Sequence, residues 1–405
     1  MKYNTLRTGL LLLSTIVPCL VLAQKTKVNS VRQELSQARI YIKSGKNLDK
    51  AEQMMTRLLK DSANREDKRI YQVWYEAVRG QYDQANERFY LKQKQDTVAF
   101  FGYIHRMFTI AESLDSIDMR PDKKGRVAPE YRKKHSEQLD GLRLNLYNGG
   151  TYYVQKERWK EAYNFMETYM DCARQPLFAA YAYDSTDQRM PEAAYWATYS
   201  GYKQNDPLLT LRYRELALQD STRTPFVLQF VAEARRWLND SELYIATLQE
   251  GFRRYPQFPY FFPRLMDAYT SAGRYEQALA LTDSALAVCD SCELYLYAKS
   301  STLLRLERWE ESLTYSDRII QMNDSMAEAH FNAGVACVNL TTTLNPKKEK
   351  KQVKAFYQQA RAYMERYRQL MPNEQGKWAP VLYRIYLNLN MGRQFDEIDR
   401  LLREK

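Results

Sequence analysis

Histidine, cysteine and glycine are scarce in this sequence, and each shortage removes a class of function. The three histidines, His105, His135 and His330, lie far apart and share no ligand spacing, so no metal site is expected. Five cysteines in 405 residues are too few for a disulfide-built scaffold, which leaves hydrophobic burial to hold the fold. Fourteen glycines supply fewer tight turns than an all-β fold or a doubly wound sheet with phosphate loops requires. No Gly-rich phosphate loop, Gly-x-Ser-x-Gly elbow or His-Glu-x-x-His helix occurs, and neither an enzyme nor a cofactor is expected.

Long apolar runs are missing too, apart from one at the start. Lys2 and Arg7 precede an apolar stretch from Gly9 to Leu22, and Val21 and Ala23 stand where a signal peptidase needs small residues. Residues 1–23 are therefore expected to be a signal peptide cleaved after Ala23, directing the chain to the periplasm of a Gram-negative bacterium. Cys19 follows Pro18 and is trailed by apolar residues, which is not the setting of a lipid-anchored cysteine. The run is too short to span a bilayer, and no stable membrane insertion is expected. Loss of Lys2 and Arg7 lowers the net charge from +11 to +9 and leaves 382 residues, enough for two domains or one extended array. The positive balance is well mixed, and no nucleic-acid partner is expected from it.

What the sequence has in abundance is tyrosine, at 32 residues, and a repeat. Residues 274–290 (RYEQALALTDSALAVCD) precede 308–324 (RWEESLTYSDRIIQMND) by 34 residues, with identities at Arg274/Arg308, Glu276/Glu310, Leu279/Leu313, Asp283/Asp317 and Asp290/Asp324. The same step places unit starts at Pro191, Pro225, Pro259, Glu293 and Ala327. Each unit reads as two helices: Phe262, Leu265, Met266 and Tyr269 recur at three-and-four spacing, Gly273 ends the first helix, and Tyr275, Ala278, Leu279, Thr282, Ala285 and Leu286 stripe the second. The columns Thr198, Ala232, Met266, Ser300, Gly334 and Ala278, Ser312, Ala360 are mostly small, as close helix crossings demand.

This pattern resembles the tetratricopeptide repeat family, through the 34-residue period, Leu265, Met266, Tyr269, Gly273, Tyr275, Ala278 and Leu286, and the terminal Pro256 and Pro372. An earlier unit fits at Leu146, Gly149, Gly150 and Tyr153, then Trp159, Ala162, Met166 and Met170; weaker ones surround Gly45 and Gly80, and the last lies near Gly392 and Phe395. The resemblance implies an all-α solenoid of antiparallel helix pairs, with degenerate repeats over 24–142 and the main array over 143–405. Lys299 stands where the family pattern expects an apolar residue.

Three stretches interrupt the period. Arg120 to Lys134 and an insertion at 341–354 are basic, the second carrying Lys347, Lys348, Lys350, Lys351 and Lys354. Such segments are either docking points for an acidic partner or solvated loops. The third, 174–190, brings Phe178, Tyr181 and Tyr183. Ser200-Gly201-Tyr202-Lys203 matches a Ser-x-x-Lys pattern without its companions, on a repeat helix, and carries no catalytic reading. Cys289 and Cys292 form a Cys-Asp-Ser-Cys turn, either a local disulfide or two free thiols. Cys172 and Cys337 read as small core residues.

In arrays of the resembled family the first helix of each pair lines a concave face. That implies a partner-binding surface of Tyr195, Tyr199, Tyr202, Gln229, Trp237, Tyr260, Tyr297 and Phe331, aromatic anchors among polar groups. The Tyr195 stripe has a second reading, as packing beneath the 174–190 insertion. The expected function is a protein or peptide interaction scaffold or assembly factor; the alternative is binding of envelope polymers such as peptidoglycan, lipopolysaccharide or other glycan through the aromatic groove and basic loops.

Overall fold

The computed structural model describes residues 30–94, 96–121 and 124–403, so the expected leader over 1–23 lies outside the described residues. Among the described residues there is no strand, and the fold is an all-α, tetratricopeptide-like array of antiparallel helix pairs. The chain forms two compact units, Met1–Ala234 and Arg235–Lys405. The expected division at 142/143 falls instead inside the helix Arg132–Gln155, where continuous backbone bonding leaves no linker.

The repeat is written in the backbone. Asn205, Asn239, Gly273 and Glu307 all adopt left-handed φ values, of 54°, 56°, 68° and 60°, and each stands 34 residues after the one before. Each ends the first helix of a pair. At Gly273 the amide of that residue donates to the Thr270 carbonyl (3.1 Å) and the Arg274 amide to the Tyr269 carbonyl (2.8 Å); at Glu307 the same bonds run to Leu304 and Leu303. This double closure satisfies carbonyls that a helix end would otherwise orphan, and reverses the chain within three residues.

In the first unit, a helix over 30–44 (α1) pairs with α2 (Leu48–Leu58), α3 (Lys68–Tyr90) with α4 (Thr97–Asp118), and α5 (Arg132–Gln155) with α6 (Trp159–Asp171). After a short α7 (Tyr183–Thr186), α8 (Met190–Lys203) packs against α9 (Pro207–Arg212) and α10 (Arg214–Ala217). Leu35, Ala38, Ala51, Met55, Ile70, Val73 and Ala77 interlock the first three helices. Burial of such side chains, about 1.5–3 kcal/mol for each large one, is what makes stacking of marginal hairpins favourable. α11 (Thr224–Trp237) carries the unit boundary.

The 174–190 insertion is a short 3₁₀ turn (Pro176–Tyr181) followed by α7, and the turn packs on α4 and α5. It is fastened to α5 by a buried cation. The guanidinium of Arg143 lies between the rings of Tyr169 and Tyr183, 3.9 Å from each centroid, and donates to Asp187 at 2.6 Å. Tyr169 also donates to Asp187, at 2.6 Å, and Tyr183 to Asp140, at 2.5 Å. Burial alone would raise the Asp187 carboxyl, but the donors from Tyr169, the Arg189 amide and Arg143 hold it below its ordinary value. Phe178 completes the seal against Phe108 of α4.

In the second unit, α12 (Ser241–Arg254) is followed by the pairs α13 (Phe261–Ser271) with α14 (Tyr275–Val288), α15 (Glu293–Arg305) with α16 (Trp309–Met322), α17 (Ala327–Leu340) with α18 (Lys350–Leu370), and α19 (Gln375–Asn388) with α20 (Gly392–Arg403). α15 and α17 begin at the two unit starts read from the 34-residue step. Where α15 crosses α16, buried Ser300 meets Ser316 (Oγ to Oγ, 2.7 Å) and Ser312, whose Oγ donates to the Ser300 carbonyl at 2.9 Å. The hydroxyls satisfy one another, so the close crossing leaves no stranded donor. Lys299 is accommodated by laying its stem inward and bonding Asp283 (2.5 Å) with its ammonium 4.3 Å from the Tyr315 ring centre. Burial opposes its charge, yet Asp283 and Tyr315 outweigh that and raise its pKa.

Candidate functional site

α15 presents Tyr297, Ser301 and Arg305 at intervals of four, which places them on one helix face. Two adjoining clefts of the second unit share these three residues. One, of about 520 Å³, lies between α13 and α15 and is bounded by Phe262, Met266, Asp267, Thr270 and Leu294. The other, of about 560 Å³, lies towards α17 and is bounded by Glu328, Phe331, Asn332, Val335 and Asn339, with Tyr367 and Lys377 at its far side. Phe331 packs on Tyr367 with ring centres 5.1 Å apart. The amide nitrogen of buried Asn332 donates to Ser301 at 3.0 Å and Ser300 at 3.2 Å, which fixes the amide at the cleft wall.

Chemically the groove combines aromatic and aliphatic walls with side-chain amides, hydroxyls and charges of both signs. Arg305 is exposed and makes no ion pair among the described residues. An extended polypeptide needs this mixture: apolar pockets for alternate side chains, and polar groups for its backbone.

Of the residues expected on a binding face, Tyr297 and Phe331 line this groove. Trp237 is half-buried near the end of α11. Tyr260 is not on an open face: it is only 6% exposed, covered by the Arg264 guanidinium 3.8 Å from its ring centre. The reason is local, since α13 starts at Phe261 and Tyr260 precedes its first turn, leaving Phe262 and Met266 to face the cleft. Arg305, Ser301 and Asn332 belong to the groove although the sequence reading did not select them; their four- and eight-residue offsets from Tyr297, or adjacency to Phe331, were the available signal.

Tyr195, Tyr199, Tyr202 and Gln229 lie in the first unit and are half-buried. The three tyrosines converge on Phe230 of α11, with ring centres 6.1, 5.4 and 4.7 Å away, and Tyr199 meets Trp159 edge-on at 5.5 Å. They bond consecutive hairpins together, a role that accounts for their spacing.

The 341–354 insertion becomes a turn plus the first turn of α18. Asn345 accepts the amides of Lys347 (3.0 Å) and Lys348 (3.2 Å), and Glu349 accepts the Asn345 amide. Lys347, Lys348, Lys350, Lys351 and Lys354 are all exposed. Lys350 and Lys351 open a helix whose first turn holds no acid, against the helix dipole, so they do not serve stability.

Ser200 is fully buried with no partner for its hydroxyl, while Lys203 is exposed, so the two cannot act together. Cys289 and Cys292 are free, half-buried thiols and the bridge is not formed here. Cys172 and Cys337 are buried, and burial pushes the Cys337 thiol up to about 12. His135 is sandwiched by Tyr75 and Tyr131, with ring centres 4.2 and 5.9 Å away; burial, then Lys134 and Arg79, lowers it to about 4. Among the described residues no cluster could hold a metal ion, and no helix is long and apolar enough to cross a membrane.

No family model matches the chain. No curated protein matches it. Among solved structures it is similar to the C-terminal part of a TPR repeat-containing protein from Cytophaga hutchinsonii (9% identity over 62% of this chain and 91% of that one, TM-score 0.41). It is similar also to MamA from Desulfovibrio magneticus (14%, 44% and 96%, 0.32) and to yeast Tom70 (13%, 92% and 92%, 0.34).

Proposed function

We propose that the protein is an exported interaction scaffold or assembly factor that holds an extended segment of a partner polypeptide in the groove of its second unit. The observation that carries this reading is the α15 face, where Tyr297, Ser301 and Arg305 are shared by two adjoining clefts and give a continuous lining longer than one repeat. Tyr297 and Phe331 supply anchor surfaces, and Ser301 and Asn332 supply polar groups for a backbone. The leader-like residues 1–23 support export, and under this reading the partner is one met outside the cytoplasm.

The test is site-specific photocrosslinking in the native cell, with the photoreactive residue replacing Tyr297 or Phe331 and, as the control, exposed Thr314 on α16. The expected result is a discrete adduct from the two groove positions and none from Thr314. Equal labelling at all three positions, or no adduct at any, overturns the proposal.

A further inference from the structure

A second surface lies at the turn between α3 and α4, far in character from the groove. Every residue from Asn86 to Lys94 is exposed, and the exposure is apolar at the tip: Tyr90 is 87% exposed, Phe89 57% and Leu91 55%. Solvated aromatic clusters of this kind are uncommon on a monomer and mark interaction sites. The tip is rigid. Phe89 stacks on Phe100 with centres 5.8 Å apart, and Lys92, at φ 54°, closes α3 by donating to the Phe89 carbonyl (3.0 Å) while Gln93 donates to the Arg88 carbonyl (2.9 Å). The Leu91 amide donates to Glu87 at 2.9 Å. The amides of the tip are thus satisfied within it, the condition for entering a medium poor in water.

The tip also protrudes. Gln84 donates to the Gly45 carbonyl in the α1–α2 turn at 2.7 Å, and α3 runs six residues past Gln84, roughly 9 Å at 1.5 Å per residue. Around the apolar centre stand Arg88, Lys92 and Lys94, none of them in an ion pair among the described residues. Glu87 is the one carboxylate within the exposed run, while nearby Asp96 is committed to capping α4 through the Val98 and Ala99 amides. Phe, Tyr and Leu ringed by cations is the chemistry of a bilayer interface, where rings sit at headgroup depth and the cations meet anionic lipid. A three-residue tip is small beside the roughly 800 Å² that a stable protein interface takes from each partner, which favours the lipid surface over a second protein.

We infer that this α3–α4 corner docks the protein peripherally on an anionic lipid surface, with Phe89, Tyr90 and Leu91 entering the interface and Arg88, Lys92 and Lys94 pairing with headgroups. Each cation near such a surface strengthens binding about fivefold. The experiment uses the full chain with Tyr90→Trp as a local reporter, compared with the parent chain, so that residues 1–29 contribute equally to both. Vesicles of phosphatidylcholine containing phosphatidylglycerol should blue-shift the added tryptophan, and brominated lipid should quench it. Vesicles of phosphatidylcholine alone should do neither. Adding Lys92→Glu and Lys94→Glu should weaken the anionic-vesicle response by at least about 25-fold, whereas Lys350→Glu with Lys351→Glu should leave the reporter response intact. An added tryptophan that neither shifts nor quenches with anionic vesicles overturns the inference, and so does a photoreactive residue at position 90 that crosslinks in cells to a protein and not to lipid.

Discussion

Gly273 and Glu307 occupy the same place in consecutive repeats, and opposite changes there should have opposite effects. Both hold left-handed φ values, 68° and 60°, and both close the first helix of a pair through the same two backbone bonds. A Cβ added at Gly273 would meet nothing within 4 Å, so Gly273→Ala isolates the conformational penalty of an L residue in that region. That penalty is about 1–2 kcal/mol, offset in part by the smaller entropy that alanine loses on folding, and a net destabilisation of about 1 kcal/mol follows. Glu307 already bears the penalty, and its exposed side chain makes no ion pair among the described residues. Glu307→Gly should therefore stabilise by roughly 0.5–1 kcal/mol. For a unit of this size each kcal/mol moves the melting temperature by about 2–4 °C, readable by thermal unfolding followed through helical circular dichroism. A lower melting temperature for Glu307→Gly, or an unchanged one for Gly273→Ala, would refute the view that these positions set the repeat through their backbone.

Three further predictions concern the core and its titrating groups. At Gly201 an added Cβ would stand 2.6 Å from the Thr210 nitrogen and 2.8 Å from the Leu209 carbonyl carbon, both backbone atoms that cannot swing aside. Gly201→Ala should cost more than about 2 kcal/mol in urea unfolding, and a cost under about 0.5 kcal/mol would mean α8 and α9 are not so tightly apposed. His135, lowered to about 4 by burial and by Lys134 and Arg79, contributes stability that is present above its ordinary 6.5 and is lost as pH falls towards 4. The loss is at most about 3 kcal/mol, and His135→Phe should flatten the acid limb of the stability curve between those values, an unchanged limb counting against it. Ellman titration of the folded chain should modify Cys289 and Cys292 at neutral pH while Cys172 and Cys337, buried and held protonated, react only on unfolding. Early modification of Cys337 would contradict its burial.

The array itself was legible because a 34-residue step in apolar and small residues has few physical realisations, and helices begin at Glu293 and Ala327 as that step requires. Small residues at Ser300 and Ser312 announced the crossing that the structure shows. Less visible was the backbone signature. Gly273 is an obvious helix terminator, but Asn205, Asn239 and Glu307 share its conformation without sharing its residue type. Long-range pairing was hidden altogether: nothing local to 174–190 says that Tyr183 and Asp187 will enclose Arg143, about forty residues earlier, because that contact depends on how α5 and α6 stack. The groove was half legible for the same reason. Aromatic side chains draw attention in a sequence, so Tyr297 and Phe331 stood out while Arg305 and Asn332 did not. Tyr260 was misplaced by the two-residue difference between the unit start at Pro259 and the first turn of α13 at Phe261.

The most direct test of the central claim is the affinity of the groove for the polypeptide segment trapped by the Tyr297 crosslinker, measured by calorimetry on the parent chain and on Tyr297→Ala with Arg305→Ala. Loss of one anchor and one unpaired cation should weaken binding by at least about tenfold, with helical content and melting temperature unchanged. Equal affinity for parent and variant would contradict the assignment of this groove as the place where the protein holds its partner.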